Sequence, residues 1–180
     1  MRTATLVIAA YVLCVLVGAC WRLMPASFLR DAVPELGALT AAYLGLTARR
    51  NLAPAVGGSV AIGYLADVIS GAPAGLAALV LGFTCLITRS AQQRILVRGA
   101  AMTIGFSAFV ALVAGVVGLI VRAVAGIPLA AFTVELSHLV LVAAATALIG
   151  PLVWRLFRRI DAAFARTHRE RDAALEGLAP

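Results

Sequence analysis

The sequence predicts an all-α integral membrane protein with six transmembrane helices and both termini in the cytoplasm. Of its 180 residues, 63% are hydrophobic and only 13% are charged, so a water-soluble fold would leave much of this apolar surface exposed. The apolar residues form separate runs, and a helix of about 20 residues crosses the ~30 Å hydrocarbon core of a bilayer. All 15 basic residues are arginine, and they lie near the ends of the runs rather than on a soluble face. We therefore expect a lipid bilayer, and not nucleic acid, as the partner of the basic residues.

The predicted spans follow one another with short connections. They cover residues 4–21, 33–48, 52–69, 74–88, 100–121 and 131–154. The second span opens with Pro34 and Glu35. Both suit a helix start, because proline is tolerated there and the helix dipole favours an acid in the first turn. Residues 155–180 predict a charged amphipathic helix at the cytoplasmic surface. The chain thus divides into a transmembrane domain, 1–154, and a cytoplasmic tail, 155–180.

The distribution of arginine predicts the orientation. With the N-terminus inside, twelve arginines lie on the cytoplasmic side and three, Arg22, Arg30 and Arg122, lie outside. This is a strong positive-inside bias. The topology anchors are Arg49, Arg50, Arg89, Arg155, Arg158 and Arg159.

This topology places four ionisable side chains in the outer third of the membrane: Glu35, Asp67, Glu135 and His138. Charged groups at such depth usually face a bundle interior or a water-filled cavity and have partners. We expect an outward-facing polar pocket or interface among spans two, three and six. For Glu35 and Glu135 the simpler interpretation is a hydrated residue at a helix start, and for His138 a hydrogen-bonded packing residue. Glu135 and His138 resemble half a metal site, but further ligands are not evident, so no metal is expected.

Spans three and four form a hairpin with an embedded acid and several small residues. Asp67 shares a helix face with Gly63 and Gly71, at spacings of four, so it is predicted to point where helices approach closely. The turn adds Pro73 and Gly75. The candidate interface or pocket therefore consists of Pro34, Glu35, Gly63, Asp67, Gly71, Pro73, Gly75, Glu135 and His138.

Motifs for catalysis are not found. The chain contains no phosphate-binding glycine loop ending in lysine, no Gly-x-Ser-x-Gly, no His-Glu-x-x-His and no Cys-x-x-Cys. An enzyme would have to use the few embedded polar groups, so we expect a protein without catalytic activity and without a cofactor.

The order of motifs from residue 34 to residue 79 resembles the MreD family of rod shape-determining bacterial membrane proteins. The resemblance rests on Pro34-Glu35-Leu36, on Arg49-Arg50, and on a glycine-rich third span ending in Gly63-x-x-x-Asp67. Its most specific part is the hairpin Asp67-x-x-Ser70-Gly71-x-Pro73-x-Gly75-Leu76. Chain length, six spans and a basic C-terminal end also fit.

This resemblance implies a non-enzymatic scaffold in the inner membrane of a bacterium, acting in the machinery that elongates the cell. The partners it implies are MreC, the polymerase RodA with its transpeptidase, and MreB filaments on the cytoplasmic side. It also implies a fold like that of the substrate-binding subunits of energy-coupling-factor transporters. The alternative function is therefore a substrate-binding subunit of a vitamin-type transporter, which would use the outer polar pocket. An intramembrane enzyme using Asp67 or Glu135 with His138 ranks last.

Overall fold

The computed structural model describes residues 2–23, 32–48, 51–92 and 99–176, and within these ranges the chain forms six α-helices and no β-strand. The helices are α1 (Arg2–Arg22), α2 (Leu36–Thr47), α3 (Ala53–Ser70), α4 (Leu76–Gln92), α5 (Ala100–Val124) and α6 (Phe132–Glu176). The all-helical prediction is confirmed for this part of the chain. The anchors Arg49 and Arg50 lie outside the described residues.

Apolar helices agree with the predicted membrane class, although these helices differ in length. Helices α1, α3, α5 and α6 are long and apolar enough to cross a membrane. Helices α2 and α4 are shorter apolar helices. The 12 residues of α2 rise only about 18 Å, which is less than the hydrocarbon thickness. The second span, predicted over 33–48, is therefore shorter than expected.

Helix α6 is longer than predicted, because it continues without a break from the predicted sixth span into the tail. It runs for 45 residues and contains Pro151. The predicted division at residue 154 is thus not a break in secondary structure. Arg155, Arg158 and Arg159 follow on exposed positions of the same helix.

The core is built around the short helix α2, which contacts each of the other five helices. Every residue from Ala38 to Gly45 is buried, so α2 has no solvent- or lipid-facing side over this length. Close approach to α4 depends on Gly45, where a Cβ atom would lie 2.6 Å from the carbonyl oxygen of Cys85. Real Cβ atoms do not come this close to an oxygen, so the α2–α4 contact requires glycine here.

Buried hydroxyl groups satisfy their hydrogen bonds within their own helices. Each donates to the carbonyl four residues earlier, at 2.6–2.8 Å, as seen for Thr40, Ser59, Thr84, Thr88, Ser107 and Thr146. This pattern is the usual solution for Ser and Thr inside helices. These hydroxyls therefore need no water in the interior.

An aromatic cluster joins α2 to α5 and α6 at the end of the bundle away from the α3–α4 turn. Tyr43 packs edge-on against Trp154, with ring centroids 5.2 Å apart, and also contacts Phe157. The Tyr43 hydroxyl donates a 2.6 Å hydrogen bond to Oδ2 of Asp161 on α6. The core helix is thus tied to the part of α6 that follows the predicted span.

The Tyr43–Asp161 bond is testable by removing one hydroxyl. Tyr43→Phe keeps the ring contacts but loses a hydrogen bond to a charged group, so we expect the free energy of unfolding to fall by about 1–2 kcal/mol. Equilibrium unfolding in mixed micelles measures this loss. Tyr64→Phe is the matched control, because Tyr64 is 52% exposed and its substitution should have no measurable effect. Equal effects of the two substitutions would contradict a stabilising role for the bond.

Candidate functional site

Asp67 is buried, with 1% of its surface exposed, and its carboxylate binds the start of the following helix. Oδ2 accepts hydrogen bonds from the backbone N–H of Gly75, at 2.9 Å, and of Ala78, at 3.4 Å. The N–H of Ala77 donates to both oxygens, at 3.0 and 3.1 Å. A negative charge at the N-terminus of a helix is also favoured by the helix dipole. Asp67 thus caps α4 from the neighbouring helix.

With Asp67 in place, all four N-terminal N–H groups of α4 are satisfied. Leu76 donates to the carbonyl of Pro73, while Gly75, Ala77 and Ala78 donate to Asp67. The first four N–H groups of a helix have no partner within the helix itself. In a bilayer, where no water replaces missing partners, each unsatisfied group would cost several kcal/mol.

Gly63 allows α3 to come close enough for this cap to form. A Cβ atom at this position would lie 2.5 Å from both the carbonyl oxygen of Ala77 and the Cα atom of Ala78. Gly63 lies four residues before Asp67 and therefore on the same helix face. The prediction that Asp67 points to a place of close helix approach agrees with this geometry.

Gly71 and Gly75 give the α3–α4 turn its backbone conformation. Their φ angles are +68° and +100°, in the region that favours glycine. A Cβ atom at either position would meet no atom within 4 Å among the described residues. They are therefore turn residues, and among the described residues Gly71 takes no part in the close α3–α4 contact at Gly63.

A large cavity lies on the side of α4 that faces the inside of the helix bundle. Its volume is about 960 Å³, which is at the upper end of typical ligand sites. Residues from all six helices line it. Most of the wall is apolar, and the polar and ionisable side chains on it include Tyr11, Glu35, Arg122, Glu135 and His138.

Glu35 lies on the wall of this cavity, at the start of α2. Its backbone N–H donates a 3.0 Å hydrogen bond to Oγ1 of Thr146 on α6. Thr146 is eleven residues beyond Glu135 in α6, a rise of about 16 Å. Helix α2 therefore begins beside Thr146 and not beside the α5–α6 turn. Its side chain is exposed to the cavity.

Glu135 has a partner near the turn between α5 and α6. Its Oε2 lies 3.2 Å from Nη2 of Arg122, and its Oε1 accepts a hydrogen bond from the N–H of Ala130. The expectation that this acid has a partner is therefore met by Arg122. His138 lies one turn further along α6 and lines the same cavity. Among the described residues no three His, Cys, Asp or Glu side chains are close enough to hold a metal ion.

A second concave surface lies outside the bundle, next to the hairpin turn. This apolar groove has a volume of about 630 Å³ and is formed by α3, α4 and the last turn of α5. Its floor contains Gly82 and Ala78, and its rims include the exposed side chains of Tyr64, Leu79 and Phe83. Pro73 and Gly75 close one end.

The structure therefore divides the predicted set among separate places. Pro34, Glu35, Glu135 and His138 line the cavity, whereas Asp67 does not. Gly63 and Asp67 form the α3–α4 contact, Gly71 forms the turn, and Pro73 and Gly75 border the groove. The expected pocket containing all four ionisable groups is thus wrong in including Asp67.

Two residues of the site, Thr146 and Tyr11, could not be identified from the sequence. Thr146 sits within an apolar run, and nothing in its neighbours indicates that it accepts a bond from Glu35. Tyr11 lies in the first span, and no feature of the sequence relates this span to the pocket.

Arg89, one of the anchors, donates a 2.7 Å hydrogen bond from Nη1 to the carbonyl of Ala48 at the end of α2, as expected for a cation near a helix C-terminus.

Comparison with known proteins identifies no relative: no family model, no curated protein and no solved structure matches the chain.

The cap predicts a graded response to substitution of Asp67. Asp67→Ala removes the acceptor for three N–H groups, so the free energy of unfolding should fall by about 3 kcal/mol or more. Asp67→Asn keeps one acceptor oxygen and should lose less. Ser70→Ala is the control, because the Ser70 hydroxyl bonds only within its own turn and its loss should be nearly neutral. Equilibrium unfolding in mixed micelles orders the three variants; a neutral Asp67→Ala would refute the cap.

The close approach at Gly63 predicts different effects of the same substitution along α3. Gly63→Ala must push α4 away, so we expect a loss of about 1–3 kcal/mol. Gly57→Ala meets open space and should be neutral or slightly stabilising, because alanine favours a helix more than glycine does. Thermal unfolding of both variants provides the measurement. Equal melting temperatures would show that the two helices do not approach as closely as described.

Proposed function

We propose that this chain is a non-enzymatic membrane scaffold of the MreD type, which binds MreC and helps to coordinate peptidoglycan synthesis along the side wall of a rod-shaped bacterium. The observation that carries this proposal is the hairpin. The residues responsible for the resemblance, from Gly63 through Asp67 to Gly75, act together as one structural unit. Because each has a defined physical task, the motif is a coherent element rather than a chance string of small residues.

The groove beside the hairpin supports a partner that is itself a membrane helix. Membrane helices associate where small residues allow close approach of their backbones, and Gly82 and Ala78 form such a floor. Larger apolar side chains at 50–54% exposure, Tyr64, Leu79 and Phe83, stand along the rims. The single transmembrane helix of MreC is the occupant that we propose.

The proposed setting follows from the arginine distribution. Both termini face the cytoplasm of the inner membrane, so the hairpin turn and the α5–α6 turn face the periplasm. RodA and its transpeptidase would be reached within the membrane, and MreB from the cytoplasmic side. The exposed Arg155, Arg158 and Arg159 on α6 suit the negatively charged cytoplasmic leaflet.

A second candidate function is supported by the cavity. A volume of about 960 Å³ with Glu35 and His138 on its wall is the kind of site that a substrate-binding subunit of a small-molecule transporter needs. Such a subunit would associate with ATPases and a coupling subunit instead of MreC.

Affinity purification in mild detergent, followed by mass spectrometry, tests both functions. We expect the tagged chain to recover MreC with RodA and its transpeptidase. Gly82→Leu raises the floor of the groove and meets only a side chain, Val60, within 4 Å, so it should reduce MreC recovery several-fold while the protein still inserts. Gly105→Leu, at an exposed position of α5 with open space around it, is the matched control.

The outcome separates the candidates. Recovery of ATPases and a coupling subunit without MreC would replace the scaffold by the transport function. Equal MreC recovery by both glycine variants would keep the scaffold function but exclude the groove as the contact.

A further inference from the structure

The cavity around Glu35 has a chemistry that the scaffold function does not use. We propose that it binds an organic cation, a molecule with an apolar body and a protonated amine or quaternary ammonium group, and that Glu35 is the counterion. This inference does not depend on the MreC contact, which lies on the opposite side of α4.

The carboxylate of Glu35 supports this proposal by its charge. The described acids Asp67, Glu135 and Asp161 each accept a hydrogen bond from a neighbour. The Glu35 carboxylate has no hydrogen bond or ion pair to any described residue, since only its backbone N–H is bonded. A carboxylate within a membrane domain requires a compensating charge. The N-terminus of α2 supplies roughly half a positive charge, which leaves part of the charge for a ligand.

Arginine, histidine and tyrosine side chains also face the cavity. Arg122 on α5 is held by Glu135 on α6, at 3.2 Å, so this pair contributes no net charge. His138 shares the wall and is within electrostatic range of Glu35, without a hydrogen bond to it in the described structure. Tyr11 on α1 supplies an aromatic ring, and cations bind favourably over aromatic faces. The wall thus offers a carboxylate at Glu35 and an aromatic ring at Tyr11.

The size and the lining of the cavity also favour an organic cation. The volume of about 960 Å³ accommodates a drug-sized molecule, and most of the wall is apolar. A small hydrated ion would leave this surface wet and unfilled. A cation with a bulky apolar body satisfies the wall and the carboxylate together.

The test uses two ions of nearly the same shape and opposite charge, tetraphenylphosphonium and tetraphenylborate. Binding to the purified full chain in nanodiscs is measured by equilibrium dialysis. We expect saturable binding of the phosphonium and none of the borate. Glu35→Gln keeps the side-chain shape and should weaken phosphonium binding about tenfold or more, the factor expected when an ion pair in a cavity is lost. Asp161→Asn, which removes a carboxylate outside the cavity, should leave binding unchanged.

A second pair of variants, neither of which changes a charged residue, tests whether the phosphonium binds in this cavity. Gly18 lines the cavity and has open space around it, whereas Gly57 has the same open space but does not line the cavity. Gly18→Phe should therefore abolish phosphonium binding, and Gly57→Phe should preserve it. Equal binding of both ions, or unchanged binding by Glu35→Gln, would overturn the proposal.

The natural cation could be a lipid amine or a soluble amine, and competition distinguishes them. Loss of phosphonium binding when phosphatidylethanolamine is added to the nanodiscs identifies a lipid headgroup. Displacement by an added soluble aromatic amine, with no effect of the lipid, identifies a free ligand. Either result supports the cation site, and co-purification of MreC by the same preparation shows separately whether the scaffold function holds.

Discussion

The structure depends on how the start of α4 is satisfied inside a membrane domain. The first N–H groups of a helix have no partner within that helix. Asp67 accepts from three of them, counting Gly75, and Gly63 brings its helix within reach. Because α4 contacts α2, α3 and α5 and separates the groove from the cavity, the position of its first turn determines the shape of both.

The short central helix is the second constraint. Helix α2 contacts all five other helices, yet it is too short to cross the bilayer. Its start lies about 16 Å further along α6 than Glu135, next to Thr146. Because α2 begins at this position along α6, the acid at its N-terminus faces the cavity. The aromatic cluster around Tyr43 and its bond to Asp161 hold the other end of α2.

The two concave surfaces differ in chemistry and therefore suit different partners. The groove is lined by apolar and small residues and suits another membrane helix. The cavity combines apolar walls with Glu35, His138 and the Arg122–Glu135 pair, and it suits a ligand with its own charge. Leu76 contributes to both linings. A ligand in the cavity would therefore touch the same first turn of α4 that borders the proposed contact with MreC.

The sequence by itself determined the membrane class, the succession of helices and the hairpin turn. These follow from hydropathy, from arginine at the ends of apolar runs and from glycine in the turn, which are local properties that add along the chain. Only the tertiary structure decided the roles of the acids. Asp67 and Glu35 each lie near the end of a predicted span, and the sequence indicated only that Asp67 points to a close helix approach. One is satisfied by the N–H groups of α4 and the other opens into a cavity, because the depth at which each helix begins depends on its contacts with neighbouring helices and not on its own residues.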